Sequence, residues 1–145
     1  MSTRCWEQVI EGETLLPMTF PLTVFRLVLA AGGMRDFNPI HHNSEFARST
    51  GAPDMYANTT FLLGMWERLI RSYIGSGGTI CSMKGFRMGS FNTVGDTVTV
   101  LATVERKWEQ AGVGYAALRI WSESSKGVSV GPGIATVTLA RQQQN

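Results

Sequence analysis

The chain is poor in the residues that carry many kinds of chemistry. Its 145 residues include two cysteines, Cys5 and Cys81, far apart and without a CxxC spacing. That excludes a disulfide framework and a thiolate metal cluster, and it predicts two reduced thiols in a cytoplasmic protein. The two histidines, His41 and His42, are neighbours. Adjacent histidines on a turn rarely reach one ion, and no third ligand accompanies them in a recognisable spacing, so no metal is expected. Charge is scarce as well: 17% of residues are Asp, Glu, Lys or Arg, against about 25% in ordinary soluble domains. The net charge of +2 comes from 13 basic and 11 acidic residues, with no Lys/Arg run and no basic-aromatic stripe. Nucleic acid is therefore not an expected partner. The longest apolar stretch, Val24–Gly33, is interrupted by Arg26 and falls far short of the roughly 20 residues a membrane span needs. The opening MSTRCWEQVIEGE lacks the apolar segment of a secretory signal. Gly77-Gly78 lies in no phosphate-loop pattern and reads as a turn.

What remains is apolar. Hydrophobic residues make up 43% of the chain, which excludes global disorder, and the length suits a single domain over 1–145. The patterning changes near residue 78. Before it, apolar residues recur at helical spacing. Phe61, Leu62, Met65, Leu69, Ile70 and Tyr73 form one wide stripe, with Glu67, Arg68, Arg71 and Ser72 on the other side. This predicts a helix over Tyr56–Ile74, capped by Asn58 or Asp54 and stopped by Gly75. Shorter helices are predicted over Thr23–Gly32, with Thr23 as cap, and over Ser44–Ser49, capped by Asn43 or Ser44. After residue 78, alternation predicts strands at Thr79–Arg87, Thr97–Lys107, Gly114–Ser122 and Gly133–Ala140, spaced for an antiparallel meander. Thr19–Leu22 reads as an edge strand, and Arg141–Asn145 as a fraying tail. The long helix has an apolar stripe too wide to leave wet, and wrapping the sheet around it buries that stripe. This α+β architecture is the hot-dog fold.

The densest polar cluster is Arg35–Asn43, RDFNPIHHN. Asp36 and His41 lie five apart across Asn38-Pro39, a turn former that cannot continue a helix. A turn there can aim a carboxylate and an imidazole at one water, which makes a general acid–base pair. The same pattern also fits a plain Asx turn, with Asp36 satisfying backbone N–H groups and His41 packing.

The segment Gly33–Gly51, GMRDFNPIHHNSEFARSTG, closely resembles the signature of the MaoC-like (R)-specific enoyl-thioester hydratases and dehydratases. The matching residues are Asp36, Asn38, Pro39, Ile40, His41, Phe46, Ala47 and Gly51, and the layout agrees over roughly residues 15–140. The resemblance implies the hot-dog fold, Asp36 and His41 as the catalytic pair, and Asn38 as a neighbour that helps hold their hydrogen bonds. It also implies reversible syn addition of water to a trans-2-enoyl thioester, with no cofactor beyond the coenzyme A or phosphopantetheine of the substrate. The thioester oxygen would be stabilised at the start of the long helix. There the chain departs from the family, which mostly carries His-Gly. The segment here is Met55-Tyr56-Ala57-Asn58-Thr59, so the oxyanion donors are expected among Ala57, Asn58 and Thr59. Asn58 also reads as a plain helix cap.

A second set of residues is similar to the small MaoC-like subunit of the steroid side-chain enoyl-CoA hydratases. It comprises Arg35-Asp36-Phe37, His41-His42, Gly51-x2-Asp54-x-Tyr56-x-Asn58 and Gly64-x3-Arg68. In those enzymes a short chain pairs with a different MaoC-like chain and accepts a bulky polycyclic acyl group. The alternative is a homodimer acting on an ordinary acyl thioester. The low charge content fits burial of further surface in an interface. Lys84 and Arg87 could meet a phosphate of the coenzyme, or lie on a solvated strand face. Asp54 reads as a helix-start carboxylate, although some hot-dog thioesterases place a carboxylate by this helix. A non-hydrating hot-dog protein, either a thioesterase or an acyl-binding partner subunit, is the other function class. The altered oxyanion segment is the feature that favours it.

Overall fold

In the computed structural model, which describes residues 4–142, each α-helix starts where a side-chain oxygen can hold a first-turn N–H. Thr23 accepts from Arg26 and opens α1 (Val24–Gly33). Asn43 accepts from Phe46 and opens α2 (Ser44–Ser49). Asn58 accepts from Phe61 at 2.8 Å and opens α3 (Thr59–Ile74), which ends as predicted at Gly75, where φ is +66°. The long helix therefore begins three residues later than the periodicity predicts, because Tyr56 and Ala57 are held by loop hydrogen bonds instead.

The strands are β1 (Met18–Pro21), β2 (Thr79–Lys84), β3 (Thr97–Gln110), β4 (Val113–Ser124) and β5 (Gly127–Leu139). They form one antiparallel sheet in the order β1-β3-β4-β5-β2. Strand β2 pairs with β5, not with β3, so the sheet is not a meander in simple chain order. The segment between β2 and β3 crosses to the opposite edge instead, bridging Val130 through Met88 and Tyr56 through Thr93 on the way. The strands from β3 onward also run longer than predicted, because the hairpin turns tighten to Ala111-Gly112 and Ser125-Lys126.

Alternation sets the inner face. Val98, Val100, Ala102 and Val104 of β3, Leu118 and Ile120 of β4, and Ala135 and Val137 of β5 are buried. Against them lie Leu62, Met65, Trp66, Leu69, Ile70 and Ile74 of α3. Trp66 sits at the centre, fully buried, and its indole N–H donates to Ser122 Oγ at 2.9 Å. Helix α3 is thus wrapped by a curled sheet, which is the hot-dog arrangement. No described helix is long and apolar enough to cross a membrane.

The C-terminal segment departs from the fraying prediction at its start. Arg141 pairs with Glu7 at 2.6 Å and with Glu109 at 2.9 Å; Gln143–Asn145 lie outside the described residues. At the same end of the domain, Glu13 takes hydrogen bonds from Arg4, the Tyr73 hydroxyl (2.6 Å) and the Ile10 N–H (3.2 Å). Burial opposes its charged form, but the Tyr73 hydroxyl, the Ile10 N–H and the Arg4 guanidinium outweigh burial and hold its carboxyl below the usual range. A carboxyl lowered in the folded state stabilises above its unfolded value, and that stability is lost as pH falls through the folded value. Denaturant unfolding measured between pH 6 and pH 3 is therefore expected to show stability falling with acid. Glu13→Gln should flatten that fall and cost about 1–2 kcal/mol at pH 7, the loss of charge-assisted hydrogen bonds at a partly exposed site.

Candidate active site

Helix α1 ends in a tight turn that aims the next residue back at the domain. The Asp36 N–H donates to Ala31 O at 2.9 Å, and Arg35 before it takes φ +55°, a conformation uncommon for a side-chain-bearing residue. A 3₁₀ turn over Pro39–His41 follows, with proline at its start, where no N–H is needed. Asn38 caps it, its Oδ1 accepting from Ile40 N at 3.2 Å. This turn brings His41 Nε2 to 3.2 Å from Asp36 Oδ2. The Asp36 side chain is 39% exposed and that of His41 9%, so solvent reaches the carboxylate while the imidazole is nearly buried.

The segment before α3 does the holding. The carbonyl of Tyr56 lies 2.8 Å from His41 Nδ1, and the Tyr56 ring meets the imidazole edge-on at 5.3 Å. Phe91 packs on the far side of Tyr56, with centroids 4.8 Å apart. A carbonyl can only accept, so Nδ1 carries a hydrogen. In a neutral ring with that tautomer, Nε2 would present a lone pair to a carboxylate oxygen. A hydrogen bond across the 3.2 Å between them is made when a proton sits on Nε2 or on the carboxyl. Asn58 completes the group: its Nδ2 donates to the same Asp36 Oδ2 at 3.2 Å, and its residue is 6% exposed.

Three residues depart from the sequence expectations. Asn38 is exposed and caps the 3₁₀ turn, because its oxygen is spent on Ile40 N; the side chain beside Asp36 is Asn58. The N–H of Ala57 donates to Asn92 O at 2.9 Å, so it is not free to serve an oxyanion. Asp54 lies five residues ahead of α3 and serves α2 instead: hydrogen bonds from Ser44 and from the Met55 N–H, and the Arg48 guanidinium at 2.7 Å, hold its carboxyl below the usual range. Thr59 stands exposed at the first position of α3, where helix geometry leaves N–H groups without an internal partner. Lys84 closes β2 and Arg87 lies in the loop beyond it. Both are exposed, and among the described residues neither forms an ion pair or side-chain hydrogen bond. Sequence reasoning missed the Tyr56 carbonyl and Asn92, whose roles are backbone contacts with no side-chain signature.

A cavity of about 260 Å³ opens beside this segment, lined by Tyr56, Ala57, Met88, Phe91 and Asn92 among others. A larger cleft of about 460 Å³ lies on the outer face of β3 and β4, by Thr103, Arg119 and Trp121. It contains none of the site residues, and the smaller cavity is the one beside the chemistry. Among the described residues, no three His, Cys, Asp or Glu side chains are grouped to hold a metal ion.

No protein-family model matches the sequence, and no curated protein matches it. Solved structures do. The chain is similar to a chain of the ChsH1-ChsH2 complex from Mycobacterium tuberculosis (24% identity, TM-score 0.79), covering 93% of this chain and 100% of that one. It is similar to the R-hydratase PhaJ1 from Pseudomonas aeruginosa (18% identity, TM-score 0.84, 95% and 86% covered). It is also similar to the (R)-hydratase from A. caviae involved in PHA biosynthesis (21% identity, TM-score 0.81, 92% and 98% covered). The chain has the hot-dog fold that these (R)-hydratases share with MaoC-like dehydratases.

Proposed function

We propose that this chain is a MaoC-like (R)-specific hydro-lyase, adding water to a 2-enoyl thioester of coenzyme A or a carrier protein, or removing it from the 3-hydroxyacyl thioester. The observation that carries the reading is the Asp36–His41 pair, 3.2 Å apart, with the carboxylate side the more exposed. In hydration a water lies beside the pair, against the other carboxylate oxygen, Oδ1. The pair takes one proton from it as the oxygen bonds to C3, and the C2–C3 π electrons move toward C2 and the thioester carbonyl. The pair then gives one proton to C2 on the same face. It starts and ends with one proton, so the cycle closes without a cofactor.

The carbonyl oxygen gains charge as C3 is attacked. With Ala57 engaged, the donors are the first-turn N–H groups of Asn58 and Thr59, at the positive end of a 16-residue helix. Lys84 and Arg87, whose side chains have no polar partner among the described residues, suit the phosphates of the thioester's carrier. The occupied Ala57 N–H is the observation favouring the second reading, an acyl-binding or thioester-hydrolysing hot-dog protein.

The partner is a second hot-dog chain. Helix α1 exposes Val24, Phe25, Val28 and Leu29 at 58%, 72%, 45% and 61%, an apolar face that water covers poorly. Either a second copy or a different MaoC-like chain would cover it; one of the similar solved structures, the ChsH1-ChsH2 complex, is itself made of two components. Sedimentation at micromolar concentration should give at least twice the 15.9 kDa of one chain, alone or with a co-purifying second subunit; a lone 15.9 kDa species that co-purifies with nothing contradicts this. The activity itself is tested by the product. Crotonyl-CoA, or a bulkier enoyl-CoA, should yield the (3R)-hydroxyacyl thioester by chiral chromatography. Free coenzyme A without a hydroxy product would favour the thioesterase reading.

A further inference from the structure

We propose that Asn58 is a positioning residue that sets the polarity of the Asp36–His41 pair; the idea rests on the hydratase reading and deepens it. The amide has only one usable orientation. Its Oδ1 accepts the Phe61 N–H at 2.8 Å and caps α3, so its Nδ2 is the atom that faces Asp36, at 3.2 Å. The usual ambiguity of an Asn side chain is absent here, because a reversed amide would set two N–H groups against each other at the cap. Asp36 Oδ2 thus receives a permanent donor from α3 and a second approach, also 3.2 Å, from His41 Nε2. Hydrogen bonds donated to a carboxylate favour its ionised form. In the polarity proposed, His41 Nε2 is the donor toward Oδ2, and Asp36 Oδ1, without a hydrogen-bond partner among the described residues, is the acceptor for the water proton. Asn58 does not touch substrate through its side chain: both polar atoms of its amide are engaged within the protein.

The other charged groups nearby do not substitute for it. Arg48 is paired with Asp54 at 2.7 Å, and His42 Nε2 lies against Phe37 O at 3.3 Å. Arg35 precedes Asp36 with an exposed side chain, and α3 presents no ionisable group in its first turn.

The test is Asn58→Asp. Aspartate is as good a helix cap as asparagine, so the Phe61 N–H keeps its acceptor and the fold its stability. The atom facing Asp36, however, changes from donor to acceptor. At pH 7, kcat for enoyl-thioester hydration should fall by about 10²-fold with KM changed less than about threefold, the scale expected for a misplaced catalytic group. The deficit relative to wild type should shrink as pH is lowered, because two facing carboxyls share a proton and a donor is regained. Asn58→Ser keeps a cap and simply loses the donor; it should fall about 10-fold in kcat, and it carries the test if N58D does not fold. Wild-type kcat in both variants, or a loss confined to KM, overturns the proposal; the latter would make Asn58 a substrate contact. The ¹⁵N shifts of the His41 ring at pH 7 give a readout independent of turnover. They should differ between wild type and N58D, and identical shifts overturn the proposal even if no enoyl thioester proves to be a substrate. An inactive wild type with shifted His41 signals would instead fail the hydratase reading and leave the positioning role standing.

Discussion

Asp36→Asn should lower kcat for enoyl-thioester hydration by about 10²–10⁴-fold, the range for a positioned proton-transfer group, while leaving the melting temperature within a few degrees of wild type. The side chain is 39% exposed and is not part of the core, so its replacement by an isostere disturbs little packing. The chemistry fails in either amide orientation. With the amide oxygen toward His41 and Asn58, an NH₂ occupies the position that must accept the water proton. With the NH₂ toward them, it meets the Asn58 Nδ2 donor that now lies 3.2 Å from Oδ2. Steady-state kinetics with a thermal melt of the same sample checks both halves. Activity within tenfold of wild type would make the pair structural.

Trp66→Ala should cost about 3–5 kcal/mol, the usual range for truncating a buried tryptophan. Total stabilities of about 5–15 kcal/mol make this a large fraction of what the domain has. The indole is fully buried between α3 and the sheet and meets Phe86 edge-on at 5.0 Å. A Cβ on Gly131 would stand 3.0 Å from its ring, so the sheet backbone packs directly on the indole and truncation opens a void there. Ser122, also fully buried, would lose its partner. Trp66→Phe should fill most of the space and cost less, about 1–3 kcal/mol, chiefly from the orphaned hydroxyl. Urea unfolding of the three proteins reads this directly, with similar slopes expected throughout.

The parts of this molecule that are legible in its sequence are those set by local chemistry. Thr23, Asn43 and Asn58 cap the helices because each places an oxygen before a run of helix formers, a relation that spans three residues. The apolar stripe of α3 and the alternation of β3 fix their buried faces for the same reason. Strand order is another matter. That β2 lies against β5 depends on a crossing segment whose contacts, Met88 with Val130 and Tyr56 with Thr93, join residues 42 and 37 positions apart (130 − 88 and 93 − 56). Within the site, the five-residue spacing of Asp36 and His41 across a proline turn was readable. The partner of Asp36 was not: Asn38 is near in sequence and turns to its own backbone, while Asn58, 22 residues on, arrives through the packing of α3. The same holds for Ala57, whose N–H looked free at a helix start but is taken by Asn92 from the crossing segment.

The central claim is that the Asp36–His41 pair hydrates an enoyl thioester. The most direct test is the ultraviolet absorbance of the conjugated enoyl-thioester band with purified protein, first with crotonyl-CoA and then with a bulky polycyclic enoyl-CoA, in each case with any co-purifying subunit retained. The account predicts a protein-dependent loss of the band with at least one of them, abolished in Asp36→Asn. A band that persists with both substrates, or that is lost equally fast in Asp36→Asn, would contradict it.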